Sequence, residues 1–341
     1  MTEHKKKLGQ FYTTRYKYIL QNLQIPDDIN TVIEPFAGKG DLLKFVDGKT
    51  TECYDIDPKK EGVVQRDTLA DPPDYNNKFV LTNPPYLARN KSSDKTIFDK
   101  CNQNDLYKCF LSELITNTCL GGIIIIPLNF WCSARKSNND LREKFLNVYA
   151  INAINIFEER VFEDTAYAVC SFQFELKKDN ITYSNTECIV YPNKKRIKFV
   201  LNPANNFTIG GEIYNLKQNT DIKVQRLTKN NTDNAGRTNI LLKCIDDSCT
   251  NKIGLSIVDD SNVYVDNTDK LSARSYATLV IEPKITKEQE QTLVNSFNTF
   301  INSKRKEYNS LFLTNYRESN TIARKRISFK LAFEISNFLL T

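Results

Sequence analysis

The most uniformly apolar stretch of the chain, Ile123 to Leu128, follows a pair of glycines in Gly121-Gly122-Ile123-Ile124-Ile125-Ile126-Pro127 and shows no alternation with polar residues. A short unbroken apolar run predicts a strand buried on both faces, the kind a parallel sheet contains. Shorter apolar runs predict further strands at Thr31 to Pro35, Thr51 to Asp55 and Phe79 to Thr82. Between and beyond them, apolar residues recur at helical spacing over 15–23, 41–46, 105–119 and 138–148. Strands alternating with helices predict an open, doubly wound, mostly parallel α/β sheet. The strands 151–157 and 167–176 have no helix between them, so an antiparallel hairpin is expected to close that sheet.

The pattern changes after Lys177. From 179 to about 269 the segments are short, Asn-rich and strand-like, punctuated by Gly210-Gly211 and Ala235-Gly236, which predicts a second module of mixed α+β structure. A strand at 276–282 and helices at 286–306 and 328–340 complete it. At 341 residues the chain is long enough for two such domains, expected at 1–178 and 179–341 with a cleft between them.

Composition narrows the function. Hydrophobic residues make up 40% and charged residues 26%, which is globular, and no apolar run approaches a membrane span. The basic start, Met1 to Lys7, has no signal core behind it, so an intracellular protein is expected. Nine cysteines, odd in number and scattered from Cys53 to Cys249, read as reduced thiols. With His4 the only histidine and no Cys-x-x-Cys, neither a zinc finger nor a His-based triad can be assembled, and no metal is expected. Residues 284–341 hold ten Lys/Arg against five Glu, so ten minus five places +5 of the net +6 there, a hint of a polyanionic partner.

Three segments carry candidate chemistry. Asn83-Pro84-Pro85-Tyr86 directly follows an apolar strand. The two prolines remove backbone donors, leaving carbonyl oxygens and the Asn83 amide oxygen to accept hydrogen bonds from an amino group, while Tyr86 offers a ring on which a base can stack. Glu34-Pro35-Phe36-Ala37-Gly38-Lys39-Gly40 runs from a strand into a Gly-x-Gly turn where backbone can approach a ligand. With Leu43 at the third glycine position, NAD and FAD are disfavoured. Tyr54-Asp55-Ile56-Asp57 puts a carboxylate at the end of the next strand, suited to ribose hydroxyls.

In this order the segments resemble the γ-class adenine-N6 DNA methyltransferases of restriction-modification systems, over about residues 8–176. Gly9-Gln10-Phe11-Tyr12-Thr13-Thr14 is similar to the family's N-terminal cofactor motif, with Thr14 where proline is usual. The glycine segment is similar to its glycine motif, with Lys39 an unusual occupant of the gap. Asp55 matches the ribose-binding acid and Asp67, in Arg66-Asp67-Thr68-Leu69, the acid near the cofactor adenine. Leu106-Tyr107-Lys108-Cys109-Phe110 nominates Phe110 against that adenine, and Arg160-Val161-Phe162-Glu163-Asp164-Thr165 nominates Phe162 as the second wall of a flipped-base pocket.

The resemblance implies a Rossmann-like class I methyltransferase fold and S-adenosylmethionine as cofactor, bound by Gln10, Tyr12, Thr13, Glu34, Phe36, Gly38, Gly40, Asp55, Ile56, Asp67, Asn83 and Phe110. It implies catalysis by Asn83, Pro84, Pro85, Tyr86 and Phe162 on an adenine extruded from double-stranded DNA, and it leaves room for a companion restriction endonuclease. Lys91, Lys95, Lys304, Arg305, Lys306, Arg324, Lys325 and Arg326 are the expected phosphate contacts. Two alternatives stay open: a methyltransferase acting on RNA or on a protein glutamine, and a non-catalytic nucleic-acid-binding subunit.

Overall fold

The structure, a computed structural model, describes residues 9–340 except 164, 166, 179–182, 184, 247–251, 268–274 and 319–322. Asp164 of the expected base-pocket loop, Cys249 and His4 lie outside the described residues. By their internal contacts the residues form two compact units, Met1–Phe207 and Thr208–Thr341.

In the first unit nine strands among the described residues form one sheet in the order β3-β2-β1-β4-β5-β7-β6-β8-β9. The strands are β1 (Thr31–Glu34), β2 (Thr50–Asp55), β3 (Val64–Gln65), β4 (Phe79–Thr82), β5 (Gly121–Pro127), β6 (Tyr149–Phe157), β7 (Val169–Leu176), β8 (Asn185–Tyr191) and β9 (Lys195–Val200). β1 pairs in parallel with β2 and β4, β4 with β5, and β2 with β3. β7 runs antiparallel between β5 and β6. This is the mostly parallel, Rossmann-like sheet expected from the sequence. All seven residues of β5 are buried, as its unbroken apolar run requires.

Among the described residues the helices of this unit are α1 (Tyr16–Ile19), α2 (Thr96–Cys101), α3 (Leu106–Thr116), α4 (Asn129–Cys132) and α5 (Lys136–Val148). Residues Leu42–Phe45, expected as an α-helix, form a single 3₁₀ turn instead. Gly48 at φ +65° follows within three residues, leaving no room for a second turn before β2.

The hairpin of β6 and β7 does not close the sheet. β8 adds in parallel to β6 and β9 in antiparallel to β8, so the first unit runs to Phe207 and not to residue 178. Buried Cys188, Val190, Ile197 and Phe199 show why: these strands alternate, one face apolar and one carrying Lys and Glu.

The second unit is built on an antiparallel sheet in the order β10-β13-β11-β12: β10 (Lys223–Arg226), β11 (Arg237–Lys243), β12 (Gly254–Ile257) and β13 (Tyr276–Glu282). Helices α6 (Lys287–Glu307) and α7 (Phe329–Leu339) cover it, and Leu242, Leu279, Ile281, Phe297, Ile301 and Ile335 fill the core between them. The pair β14 (Thr314–Glu318) and β15 (Ala323–Arg326) lies between the two helices in sequence. No described helix is long and apolar enough to cross a membrane.

Candidate active site

Parallel strands β2, β1 and β4 end side by side, and the order of connection reverses between β1 and β4, the place where open α/β sheets bind ligands. Their last residues, Asp55, Glu34 and Thr82, precede the three segments singled out in the sequence. A cleft of about 900 Å³, counting its solvent-open mouth, lies there. Its walls include Gln10, Tyr12, Thr13, Glu34, Phe36 and Gly38, and also Asp55, Ile56, Asp67, Asn83 and Pro85. Ten of the twelve expected cofactor residues are therefore brought together; Gly40, buried beside the Lys60 side chain, does not line the cleft.

Phe110 is fully buried and does not line the cleft. It meets Phe36 edge to face at 5.1 Å and so supports the ring that does line it. Leu69, Ile97 and Leu106 supply the apolar wall in its place. Asp55 does not present an open carboxylate either. At 3% exposure it accepts from Gly38 N (2.7 Å), Asp57 N (2.8 Å) and Gln10 Nε2 (3.2 Å). It holds the glycine turn in shape, and Gly38, at φ +53° with a would-be Cβ 3.3 Å from the Tyr12 ring, is the residue such a turn demands.

Glu34 is 2% exposed, and its Oε2 is buried with no hydrogen-bond partner. Burial, reinforced by the nearby charges of Asp55 and Asp41, pushes its carboxyl well above the usual carboxylate range. A buried, unsatisfied carboxylate oxygen on a ligand cleft fits a cationic group, and S-adenosylmethionine carries two, an ammonium and a sulfonium. With the apolar wall for a purine ring, the residues present fit that cofactor.

The catalytic tetrad is strapped by the N-terminal segment. Tyr86 N donates to Gly9 O (2.9 Å), and Gly9 is held at φ +66° so close that a Cβ would lie 2.8 Å from Tyr86 O. The Asn83 amide nitrogen donates to Phe11 O (2.8 Å) and Thr13 Oγ1 (3.1 Å). With both amide protons used, Oδ1 is left as an acceptor. It takes the Tyr86 hydroxyl at 2.5 Å, and that hydroxyl also lies 2.9 Å from Ile125 O. Pro84 is buried and Pro85 half-buried.

Tyr86 and Phe162 are both 4% exposed, and Phe11 packs against each of them. The Phe11 ring lies 5.3 Å from Tyr86 and 6.3 Å from Phe162. Phe11 lies inside the Gly9–Thr14 motif, where nothing in the sequence signals this role. Asp105, which carries no motif signal either, accepts from Leu87 N at its Oδ1 (3.1 Å) and so anchors the chain immediately after Tyr86. Burial pushes the Asp105 carboxyl up to about 6.

The basic candidates divide. Arg305, nominally in a surface run, is buried and makes a two-pronged bond to Asp246 (2.6 and 3.1 Å) inside the second unit. Lys325 is buried against Asn315 Oδ1 at 2.6 Å. Lys95 turns back onto the carbonyls of Arg89 and Ser92 in its own loop. These three are corrected from phosphate contacts to internal ties. Lys91 and Lys306 are exposed, Arg324 and Arg326 half-buried, and Lys304 pairs with Glu307 (2.9 Å) and Glu212 (3.6 Å).

Residues 38–162 match the family model described as Eco57I restriction-modification methylase, and the resemblance read from the motifs holds over that stretch. No curated protein matches the sequence. Among solved structures the chain is similar to a modification subunit of a putative type I restriction enzyme from Vibrio vulnificus YJ016, at 15% identity and TM-score 0.40, covering 55% of this chain and 48% of that one. A putative class I S-adenosylmethionine-dependent methyltransferase from Listeria monocytogenes matches at 13% identity and TM-score 0.39, with 51% and 61% covered. DrdV, in a complex with DNA, matches at 14% identity and TM-score 0.42, with 71% and 35% covered. The chain thus spans about half the length of the first of these proteins and less than two thirds of the others.

Proposed function

We propose that this chain transfers a methyl group from S-adenosylmethionine to the N6 amino group of an adenine taken out of duplex DNA. The observation that supports the reading is the Asn83 amide, whose two protons are held by Phe11 O and Thr13 Oγ1 so that its oxygen is left as an acceptor, shared with the Tyr86 hydroxyl.

An exocyclic amino nitrogen is a weak nucleophile because its lone pair is delocalised into the ring. A hydrogen bond to Asn83 Oδ1, with the Pro84 carbonyl as second acceptor, favours pyramidal nitrogen and localises that pair. Tyr86 must release Oδ1 for this to happen, and Ile125 O at 2.9 Å is a ready alternative acceptor for its hydroxyl. The base takes the place of the Phe11 ring against Tyr86 and Phe162, stacking worth roughly 1 to 3 kcal/mol per base. The cofactor supplies an electrophilic methyl group on a positively charged sulfur. Glu34 compensates cationic charge at that end of the cleft, and Asp55 keeps the glycine turn shaped to receive the ligand. Once methylated, the nitrogen is acidic and gives its proton to water, so no dedicated base is needed.

The second unit, with residues 208–341, is the proposed target-recognition module; Lys304, Lys306, Arg324 and Arg326 are its proposed phosphate contacts, and Lys91 is one proposed for the first unit. The test is transfer of labelled methyl to duplex DNA, to RNA and to a glutamine peptide, by the wild type and by Asn83→Ala. Label in DNA that Asn83→Ala abolishes supports the reading, and label confined to RNA or peptide rejects it.

A further inference from the structure

The family resemblance assigns no task to Lys39, which occupies the gap between Gly38 and Gly40 and lines the cleft. Its ammonium lies over the Tyr12 ring, 4.7 Å from the centroid. Among the described lining residues four are acidic, Glu34, Asp41, Asp55 and Asp67, and two are basic, Lys39 and Arg66. Arg66 is engaged elsewhere. Its Nε donates to Asp71 O (2.9 Å), its second nitrogen to Pro72 O (3.0 Å), and it lies 5.5 Å over the Tyr54 ring.

A ligand bearing a carboxylate therefore meets a wall with more acidic than basic groups, even with Asp41 paired to Lys44 (3.0 Å), and needs a cation to compensate it. Lys39 is the lining cation in a position to do so. Tyr12 packs against Gly38 and so fixes the lysine's platform beside the glycine turn. The stem of an exposed lysine is otherwise free to sweep, and stacking on a ring reduces that freedom.

We propose that Lys39 binds the carboxylate of the cofactor's amino-acid end, acting as the anion-selecting counterpart of Glu34, which takes the cationic end. The cleft then reads the ligand as a zwitterion. It discriminates S-adenosylmethionine from adenosine derivatives that lack the carboxylate. This rests on the cofactor reading above and extends it to a residue outside the motif's shared positions.

The experiment compares two ligands by calorimetry on the full chain: S-adenosylmethionine and its decarboxylated form, which keeps the ammonium and sulfonium. The wild type is expected to bind the first about 10-fold more tightly, the effect of one charge-assisted bond at an exposed site. Lys39→Met is expected to weaken S-adenosylmethionine by that factor while leaving the decarboxylated ligand within 2-fold, so that the two affinities converge. Lys39→Arg is expected to keep the preference. Equal loss for both ligands overturns the proposal, because Lys39 then acts through the turn or Tyr12 and not on the carboxylate, and so does unchanged affinity for both. If the wild type binds neither ligand, the cofactor reading itself fails and the proposal with it.

Discussion

Removing the carboxylate of Asp55 is expected to damage stability before it damages ligand contacts. The side chain is 3% exposed and accepts from Gly38 N at 2.7 Å and Asp57 N at 2.8 Å, with Gln10 Nε2 at 3.2 Å as a third donor. A hydrogen bond to a charged group contributes roughly 1.5 to 3 kcal/mol, so the two backbone bonds together contribute about 3 kcal/mol even at the low end. Gln10 is half-buried and can turn to water, so it adds little. For a unit of this size about 2 to 4 °C accompanies each kcal/mol, and Asp55→Ala should lower the melting temperature by about 6 to 12 °C. Asp55→Asn keeps one acceptor oxygen and should fall between. Scanning calorimetry, repeated with S-adenosylhomocysteine, measures both the loss and the accompanying loss of affinity as the glycine turn loosens. Unchanged melting of Asp55→Ala with weakened ligand binding would refute the reasoning and return Asp55 to a direct ribose contact.

Other outcomes follow from the same geometry. Asn83→Ala should cut methyl transfer by two or more orders of magnitude while S-adenosylmethionine still binds, measured by single-turnover kinetics beside calorimetry. Glu34, raised by burial, favours the folded ligand-free protein below the ordinary carboxylate range and loses that contribution as pH rises through its raised value; Glu34→Gln should flatten that slope in denaturation series across pH. A cation bound beside Glu34 lowers its pKa, so cofactor binding should release protons, seen as a dependence of binding heat on buffer ionisation enthalpy. Arg305→Ala leaves buried Asp246 with, among the described residues, only the backbone N–H groups of Lys252 and Ile253 and should cost about 3 kcal/mol of stability, whereas Lys306→Ala, at an exposed residue, should cost under about 1 kcal/mol. Lys306→Ala should also reduce the slope of log DNA affinity against log salt by nearly one, read from binding titrations at several salt concentrations.

What was legible in the sequence was chiefly local. The unbroken apolar run of β5 and the carboxylate or amide just past β1, β2 and β4 declared both the sheet and the chemistry at its edge, because strand ends in such a fold point functional side chains into one crevice. β8 and β9 were not legible as part of that sheet, since their alternation marks them as strands without naming a partner: β8 pairs with β6 across the whole of β7, and β9 pairs with β8. Charge runs were misleading for a related reason. Arg305 and Asp246 are 59 residues apart, and only tertiary packing shows that the guanidinium is already engaged. Phe11 was hidden in the same way: nothing in Gly9-Gln10-Phe11 says that its ring packs against Tyr86 and Phe162, which sit 75 and 151 residues further on.

The central claim is the identity of the methylated atom. Cells without adenine methylation of their own, expressing the full chain, provide DNA that can be digested to nucleosides and measured by mass spectrometry, with modified-base sequencing for context. The account requires N6-methyldeoxyadenosine at one recurrent sequence, lost when Asn83 is replaced by Ala. Methylated DNA cytosine in its place, or unmodified DNA alongside methylated RNA or protein glutamine, would contradict it.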